Sequence, residues 1–213
     1  MVNLVEISEA LINGKAPVVV DLVNKALSEG TSPQEIMNKA LIPGMDVVGK
    51  KFKANEFYVP EVLVAARAMQ GGLNILKPLL AEAGVKQIGT VVVGTVKGDL
   101  HDIGKNLVAM MLEGAGFKVV DLGIDVPPEK FVSAAVDNNA QVIGMSALLT
   151  TTMLSMKNTV EALRVAGLGD KIKTLIGGAP VTQKYADEIG ATGYSPDAAS
   201  AVEKAKEVIG IAA

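Results

Sequence analysis

Residues 88–106 read IGTVVVGTVKGDLHDIGKN, and the way this stretch changes character decides the fold. Ile88–Val96 is an uncharged run rich in β-branched residues, with no alternation between polar and apolar positions. Such a strand is buried on both faces. After it the chain turns through Gly98 and enters an amphipathic stretch. Strand, turn and helix in that order form the unit of a parallel α/β sheet. Lys118–Leu122, Gln141–Met145 and Lys173–Ile176 repeat the apolar run, each separated from the next by an amphipathic segment. A shorter run at Ala191–Tyr194 and a last helix from about Pro196 to Ile209 complete the pattern. We expect a flavodoxin-like, doubly wound sheet of five parallel strands.

The residues ahead of it have a different period. Leu4, Ile7 and Leu11 share one helical face, as do Val19, Leu22, Val23 and Leu27. Gly30 ends the second segment, and Thr31-Ser32-Pro33 offers a cap and a proline for the start of the third. That third segment is expected from about Pro33 to Lys51, and a fourth from Val59-Pro60 to about Ala83. Four helices with short connections make a small bundle. The expected organisation is a helical-bundle cap over residues 1–85 and a Rossmann-like α/β domain over 86–213.

Composition removes several function classes. The chain has no cysteine and a single histidine, so disulfides, thiolate metal sites, iron–sulfur clusters and multi-histidine zinc sites are outside its means. A net charge of −3, with Lys and Arg scattered, and 3% aromatic residues give no footprint for nucleic acid or an anionic membrane. The first residues, MVNLVEISEALINGK, lack the basic and long apolar parts of a signal peptide, and no apolar run is long enough to span a bilayer. A cytoplasmic protein is expected.

In a doubly wound sheet, ligands bind beyond the carboxyl ends of the strands. Asp99, His101 and Gly104 follow the first strand directly. A plain reading makes this a glycine-rich turn with Asp99 or Asp102 capping the next helix. A phosphate loop is a poorer match, because Gly104-Lys105 is followed by Asn106 rather than Ser or Thr. A metal reading has chemical support. Neutral imidazole is a common transition-metal ligand, and a carboxylate two residues away fixes its tautomer. One imidazole cannot hold a bare ion but suffices when a macrocycle supplies the other ligands. A glycine nearby lets a bulky ligand approach the backbone.

Three elements carry a resemblance. Asp99, His101 and Gly104 form D-x-H-x-x-G. Residues 105–145 separate it from Ser146-Ala147-Leu148, an S-x-L. Residues 149–176 then lead to Gly177-Gly178. In composition and spacing this resembles the cobalamin-binding module of methionine synthase, and more closely the small corrinoid proteins of methyltransferase systems. The resemblance implies a bound cobalamin or related corrinoid whose own lower base has left cobalt, with His101 in its place (base-off/His-on). It implies that Asp99 tunes His101, and that Asp102, Ile103 and Gly104 lie against the cofactor. Ser146 and Leu148 are implied to line the slot of the displaced tail, and Gly177 and Gly178 to keep its path clear. The family places a hydroxyl partner for the Asp shortly after the Ser. Here that position holds Thr152 rather than Ser, and Thr150 and Thr151 are alternative partners.

The likeness extends upstream. Residues 52–69, FKANEFYVPEVLVAARAM, resemble the helical cap of methyl-carrying members, which puts Phe52, Val59 and Val62 over the upper face of the cofactor with Tyr58 adjacent. The same residues also read as ordinary bundle core at helical spacing. The function implied is a methyl shuttle rather than a complete enzyme, with partners comprising a substrate-specific methyltransferase, a second methyltransferase that accepts the methyl group, and a corrinoid reductive activase. An adenosylcobalamin mutase subunit shares the three elements but lacks the cap segment. A cobalamin-dependent regulator would need a DNA-binding part. A corrinoid storage protein stays open.

Overall fold

The structure, a computed structural model, describes residues 3–85 and 87–211. Asn3 starts α1 (Leu4–Ile12) by accepting from the Val5 amide at 3.1 Å. The helix α2 (Ala16–Ser28) follows, with Pro17 in its first turn, where a missing N–H costs nothing. Ser32 then caps α3 (Pro33–Ile36), its hydroxyl accepting from Glu35 N at 3.2 Å.

The expected single helix from Pro33 to Lys51 is longer and less regular than its spacing suggests. After α3 comes a π turn, Met37–Leu41, and then α4 (Ile42–Lys53). Pro43 explains the interruption. It has no N–H for the residue one turn back, and its ring crowds that carbonyl, so the run widens just before it. The Ile42 amide accordingly reaches back to the Met37 carbonyl. The last helix of this part, α5 (Val59–Glu82), begins where Glu61 accepts from the Tyr58 amide at 2.9 Å. Its buried face, including Ala65, Ala68, Met69, Gly72 and Leu76, has helical period. It packs on α1, α2 and α4.

The remaining elements alternate. They run β1 (Thr90–Thr95), α6 (Ile103–Gly114), β2 (Lys118–Asp121), α7 (Pro128–Asp137), β3 (Val142–Ser146), α8 (Leu154–Val165), β4 (Lys173–Gly177), α9 (Gln183–Ile189), β5 (Gly193–Tyr194) and α10 (Ala198–Val208). All five strands are parallel, in the order β2-β1-β3-β4-β5. This is the flavodoxin-like order expected of the fold class. Val92, Ile143 and Ile176 of the central strands are buried together with Phe131 of α7 and Met156 and Leu163 of α8.

The chain folds as two compact units. One runs up to Gln87 and takes in Gly114–Gly116, and the other holds Ile88–Glu113 and the chain from Phe117 onward. The boundary expected at 85/86 adjoins Lys86, which lies outside the described residues. Among the described residues no helix is long and apolar enough to cross a membrane.

Candidate functional site

Strand register aligns the three sequence elements. Thr95 on β1 pairs with Ser146 on β3, and Ser146 pairs with Gly177 on β4, making one row across the carboxyl end of the sheet. The loops leaving this row meet at Asp99. The segment from Val96 to Asp102 is held from two sides. The Thr95 hydroxyl donates to the His101 carbonyl at 2.7 Å. On the other side Asp125, at the left-handed φ of 53°, accepts from the Gly98 amide through Oδ1 at 2.7 Å. Its own amide donates to the Asp99 carbonyl at 3.1 Å.

Asp99 has no exposed side-chain surface, and five donors surround its carboxylate. Oδ1 faces the His101 amide at 3.1 Å and the His101 ring Nδ1 at 2.7 Å. Oδ2 accepts from the amides of Leu148 and Leu149, at 2.8 and 3.2 Å, and from the Thr152 hydroxyl at 2.7 Å. Burial by itself would push the pKa of this carboxyl up. The hydrogen bonds from His101, Thr152 and Leu148 outweigh it and hold the group well below the usual carboxylate range.

The ionised carboxylate only accepts, so His101 Nδ1 carries a proton, and in the neutral ring Nε2 is then the nitrogen that keeps its lone pair. The ring side chain is 51% exposed, and no partner engages Nε2 among the described residues. Among the described residues no three His, Cys, Asp or Glu come together to hold a metal ion. The donor set is therefore one aimed imidazole nitrogen. It lies beside exposed apolar side chains of the same loops, Leu100, Ile103, Leu148 and Leu149. Nothing stands within 4 Å of the place a Cβ on Gly104 would occupy. Apolar surface around a single nitrogen ligand, with open space beside it, suits a broad macrocycle that brings its own metal. On the chemistry of its donors the site fits a corrinoid.

The structure resolves the threonine question. Thr152 is buried and bonded to Asp99, whereas Thr150 and Thr151 are exposed. The extra methyl of Thr relative to Ser faces Gly98, at φ 85°, without crowding. A Cβ there would stand 3.5 Å from Thr152 Cγ2, an ordinary contact. Asp102 is exposed and accepts from Asn106 Nδ2 at 3.1 Å, as a helix-start charge does. Leu148 reaches the centre through its amide, while its side chain is exposed. In the helical unit Val62 is fully buried, Phe52 and Val59 are partly buried, and Tyr58 is exposed.

Gly178 has a reason of its own to be glycine. Its φ is 128°, and an added Cβ would lie 1.9 Å from the Ala147 carbonyl oxygen, an impossible approach. At Gly177 the corresponding Cβ would be 3.0 Å from the Ser195 carbonyl oxygen. The two glycines thus let the loops after β3, β4 and β5 close on one another. Gly178→Ala is expected to lower apoprotein stability by about 2–4 kcal/mol, since both backbone strain and a backbone clash must be relieved. Chemical denaturation of the apoprotein checks this, with Gly167→Ala as a control for positive φ in open space.

Sequence reasoning missed Thr95, Asp125 and the ion pair that buried Lys105 makes with the exposed Asp121 at the end of β2. Asp125 sits in a Gly-x-Asp turn after β2, a turn signal that residue type alone could have raised.

Residues 89–203 match the B12 binding domain family, and residues 4–77 match a second family described in the same words. The dimethylamine corrinoid protein of Methanosarcina barkeri is 46% identical over 207 residues, covering 97% of each chain. This chain belongs to the B12-binding corrinoid proteins. The trimethylamine corrinoid protein of the same organism is 43% identical, over 95% of this corrinoid protein and 94% of that relative. Two solved structures agree in fold. A cobalamin-binding protein from Desulfitobacterium hafniense superposes with a TM-score of 0.81 at 32% identity, covering 98% of this chain and 99% of that one. A chain of the methanol:cobalamin methyltransferase complex of Methanosarcina barkeri gives 0.86 at 34% identity, covering 96% and 78%.

Proposed function

We propose that this protein carries a methyl group on the cobalt of a bound corrinoid, receiving it from a substrate-specific methyltransferase and delivering it to a second one. His101 is the lower axial ligand, in the base-off/His-on arrangement. The observation that carries the reading is the Asp99–His101 pair, which leaves one oriented nitrogen, Nε2, presented in an apolar, open setting. Support for the class of partner comes from the solved relative within a methanol:cobalamin methyltransferase complex. Support for a methylamine as the source comes from relatives named for dimethylamine and trimethylamine.

When bound, the corrinoid supplies a cobalt centre that accepts and releases a methyl group. The chain's own part is to orient and to tune. Asp99 keeps the proton on Nδ1 and thereby keeps Nε2 available. Thr152 and the Leu148 and Leu149 amides hold that carboxylate in place, so the imidazole does not have to be ordered at each cycle. Leu100, Ile103, Gly104 and Leu148 would offer the surface for the macrocycle, and Ser146, Gly177 and Gly178 would border its tail.

Reconstitution tests the reading. Apoprotein incubated with hydroxocobalamin and passed through a desalting column is expected to retain a single corrinoid per chain. After reduction it is offered methanol, monomethylamine, dimethylamine or trimethylamine with the matching donor methyltransferase. The methylated-cofactor absorption spectrum is expected with one donor system and not with the others. An apoprotein that retains no corrinoid, or a holoprotein that no donor system methylates, contradicts the proposal.

A further inference from the structure

The ladder between β1 and β2 is interrupted just where it meets the site. Val93 pairs with Asp121, and the next pairing joins Val96 to Val126. Between the two pairings one side advances by three residues and the other by five, so two extra residues follow β2. A bulge of this kind bends the chain and re-aims a side chain, often beside a functional site. Gly123 and Asp125 take up the excess, at φ 83° and 53°. Glycine adopts that region freely, but an aspartate there is uncommon and strained, and its surroundings must offset the cost.

What Asp125 gains is a two-point hold on the His101 loop. Its Oδ1 accepts from the Gly98 amide at 2.7 Å, and its own amide donates to the Asp99 carbonyl at 3.1 Å. Gly98, at φ 85°, has the widest backbone freedom in this loop. Two bonds to the Gly98–Asp99 pair fix both its position and its rotation. The carboxylate of Asp99 is held separately, by the loop after β3. Asp125 is exposed and contributes nothing to the core. A strained surface residue thus spends its hydrogen bonds on the backbone that carries the histidine.

We infer that Asp125 is a positioning residue for His101: its hold on Gly98 and Asp99 sets where Nε2 stands, and so the strength of the axial bond to the corrinoid metal. The inference rests on the corrinoid reading given above. Asp125 acts only through backbone groups of the loop, so its effect on binding requires the histidine.

A double-variant cycle tests this, by equilibrium titration of apoprotein with hydroxocobalamin. Asp125→Gly keeps the left-handed backbone and removes the acceptor for Gly98. With His101 present it is expected to weaken binding roughly five- to tenfold, the worth of one hydrogen bond. In the His101→Ala background the same change is expected to have no effect, whereas a merely structural residue would weaken binding equally in both. Asp125→Asn retains an acceptor oxygen and tolerates the same φ, so it is expected to bind as the wild type does. Asn139→Gly, at φ 49° before β3, controls for added glycine freedom and is expected to bind unchanged. Should the His101→Ala background bind too weakly to titrate, nitrogen-15 NMR of the single histidine decides. Its ring signals are expected to shift in Asp125→Gly and to stay in place in Asp125→Asn.

Equal losses in both backgrounds overturn the inference, as do ring signals unmoved in both Asp125 variants. Wild-type affinity in Asp125→Gly, or a loss as large in Asp125→Asn or in Asn139→Gly, overturns it too. So does an Asp125→Gly apoprotein that no longer melts cooperatively, since the bond would then hold the fold rather than the ligand. Wild-type protein that binds no corrinoid, or His101→Ala that binds as tightly as the wild type, overturns the corrinoid reading instead.

Discussion

Asp99→Asn is expected to lower the stability of the apoprotein by about 3 kcal/mol and to move the ring proton of His101 from Nδ1 to Nε2. The carboxylate serves three donors through one oxygen and two through the other. An amide has one carbonyl. Placed toward Leu148, Leu149 and Thr152, it satisfies the larger group and turns its NH2 toward His101. Nδ1 must then accept, so the proton shifts to Nε2, the atom the metal needs. The fold survives with melting lowered by roughly 6–12 °C. Corrinoid retention falls about 10–100-fold, the usual cost of losing the partner that orients a metal-binding histidine. Calorimetry and spectral titration of the same variant read the two effects separately. Nitrogen-15 NMR of the labelled histidine reads the tautomer.

The stability part has a defined pH dependence. Asp99 is depressed below its ordinary value of 3.8, so its contribution is complete above about pH 4 and is lost as pH falls toward the folded-state value. The difference in melting temperature between wild type and Asp99→Asn is therefore level near neutrality and closes on acidification below pH 4. A difference that instead widens below pH 4 would mean the carboxyl is not the stabilised, ionised group the geometry describes.

His101→Ala has the opposite profile. The ring is half-exposed and its chief contact is one bond to Asp99, whose carboxylate keeps four other donors. Stability changes by less than about 1 kcal/mol. Ligation, in contrast, is removed outright, and corrinoid retention falls by more than about 100-fold, beyond the range typical of an outer partner. Added imidazole is expected to restore an axial nitrogen to whatever cofactor remains, because the alanine leaves a space of that shape. A variant that retains the cofactor as the wild type does, without added imidazole, contradicts the assignment.

Much of the architecture was legible because its signals are local. The continuous run at Val91–Val93 and its three counterparts are what parallel strands buried on both faces must look like, and the helical period of the first part could not be mistaken for alternation. What escaped is instructive. The π turn at Met37–Leu41 leaves no compositional trace beyond Pro43, since one extra residue per turn keeps most apolar positions near the same face. β5 has two paired residues where the sequence suggested four, because ladder length depends on how far the neighbouring strand extends.

At the site, side chains that act through their own chemistry were visible: His101, Asp99 and a hydroxyl among Thr150, Thr151 and Thr152, of which the fold brings Thr152 to Asp99. The contributions of Leu148 and Leu149 were not, because both act through backbone amides that every residue has. Gly177 and Gly178 could be read as space left for a ligand. That Gly178 must also clear the Ala147 carbonyl is a tertiary fact no sequence displays. Asp125 drew no notice, since a turn aspartate becomes informative only when its surroundings show which backbone it holds.

The most direct test of His101 as the lower ligand is electron paramagnetic resonance of the Co(II) holoprotein, grown with nitrogen-15 histidine and loaded with unlabelled cobalamin. The chain contains one histidine, so the label reports on a single residue. The account expects the axial superhyperfine triplet of ordinary nitrogen to become a doublet on labelling. A triplet that survives labelling would place the cofactor's own base on cobalt and contradict the claim, as would a spectrum with no axial nitrogen coupling.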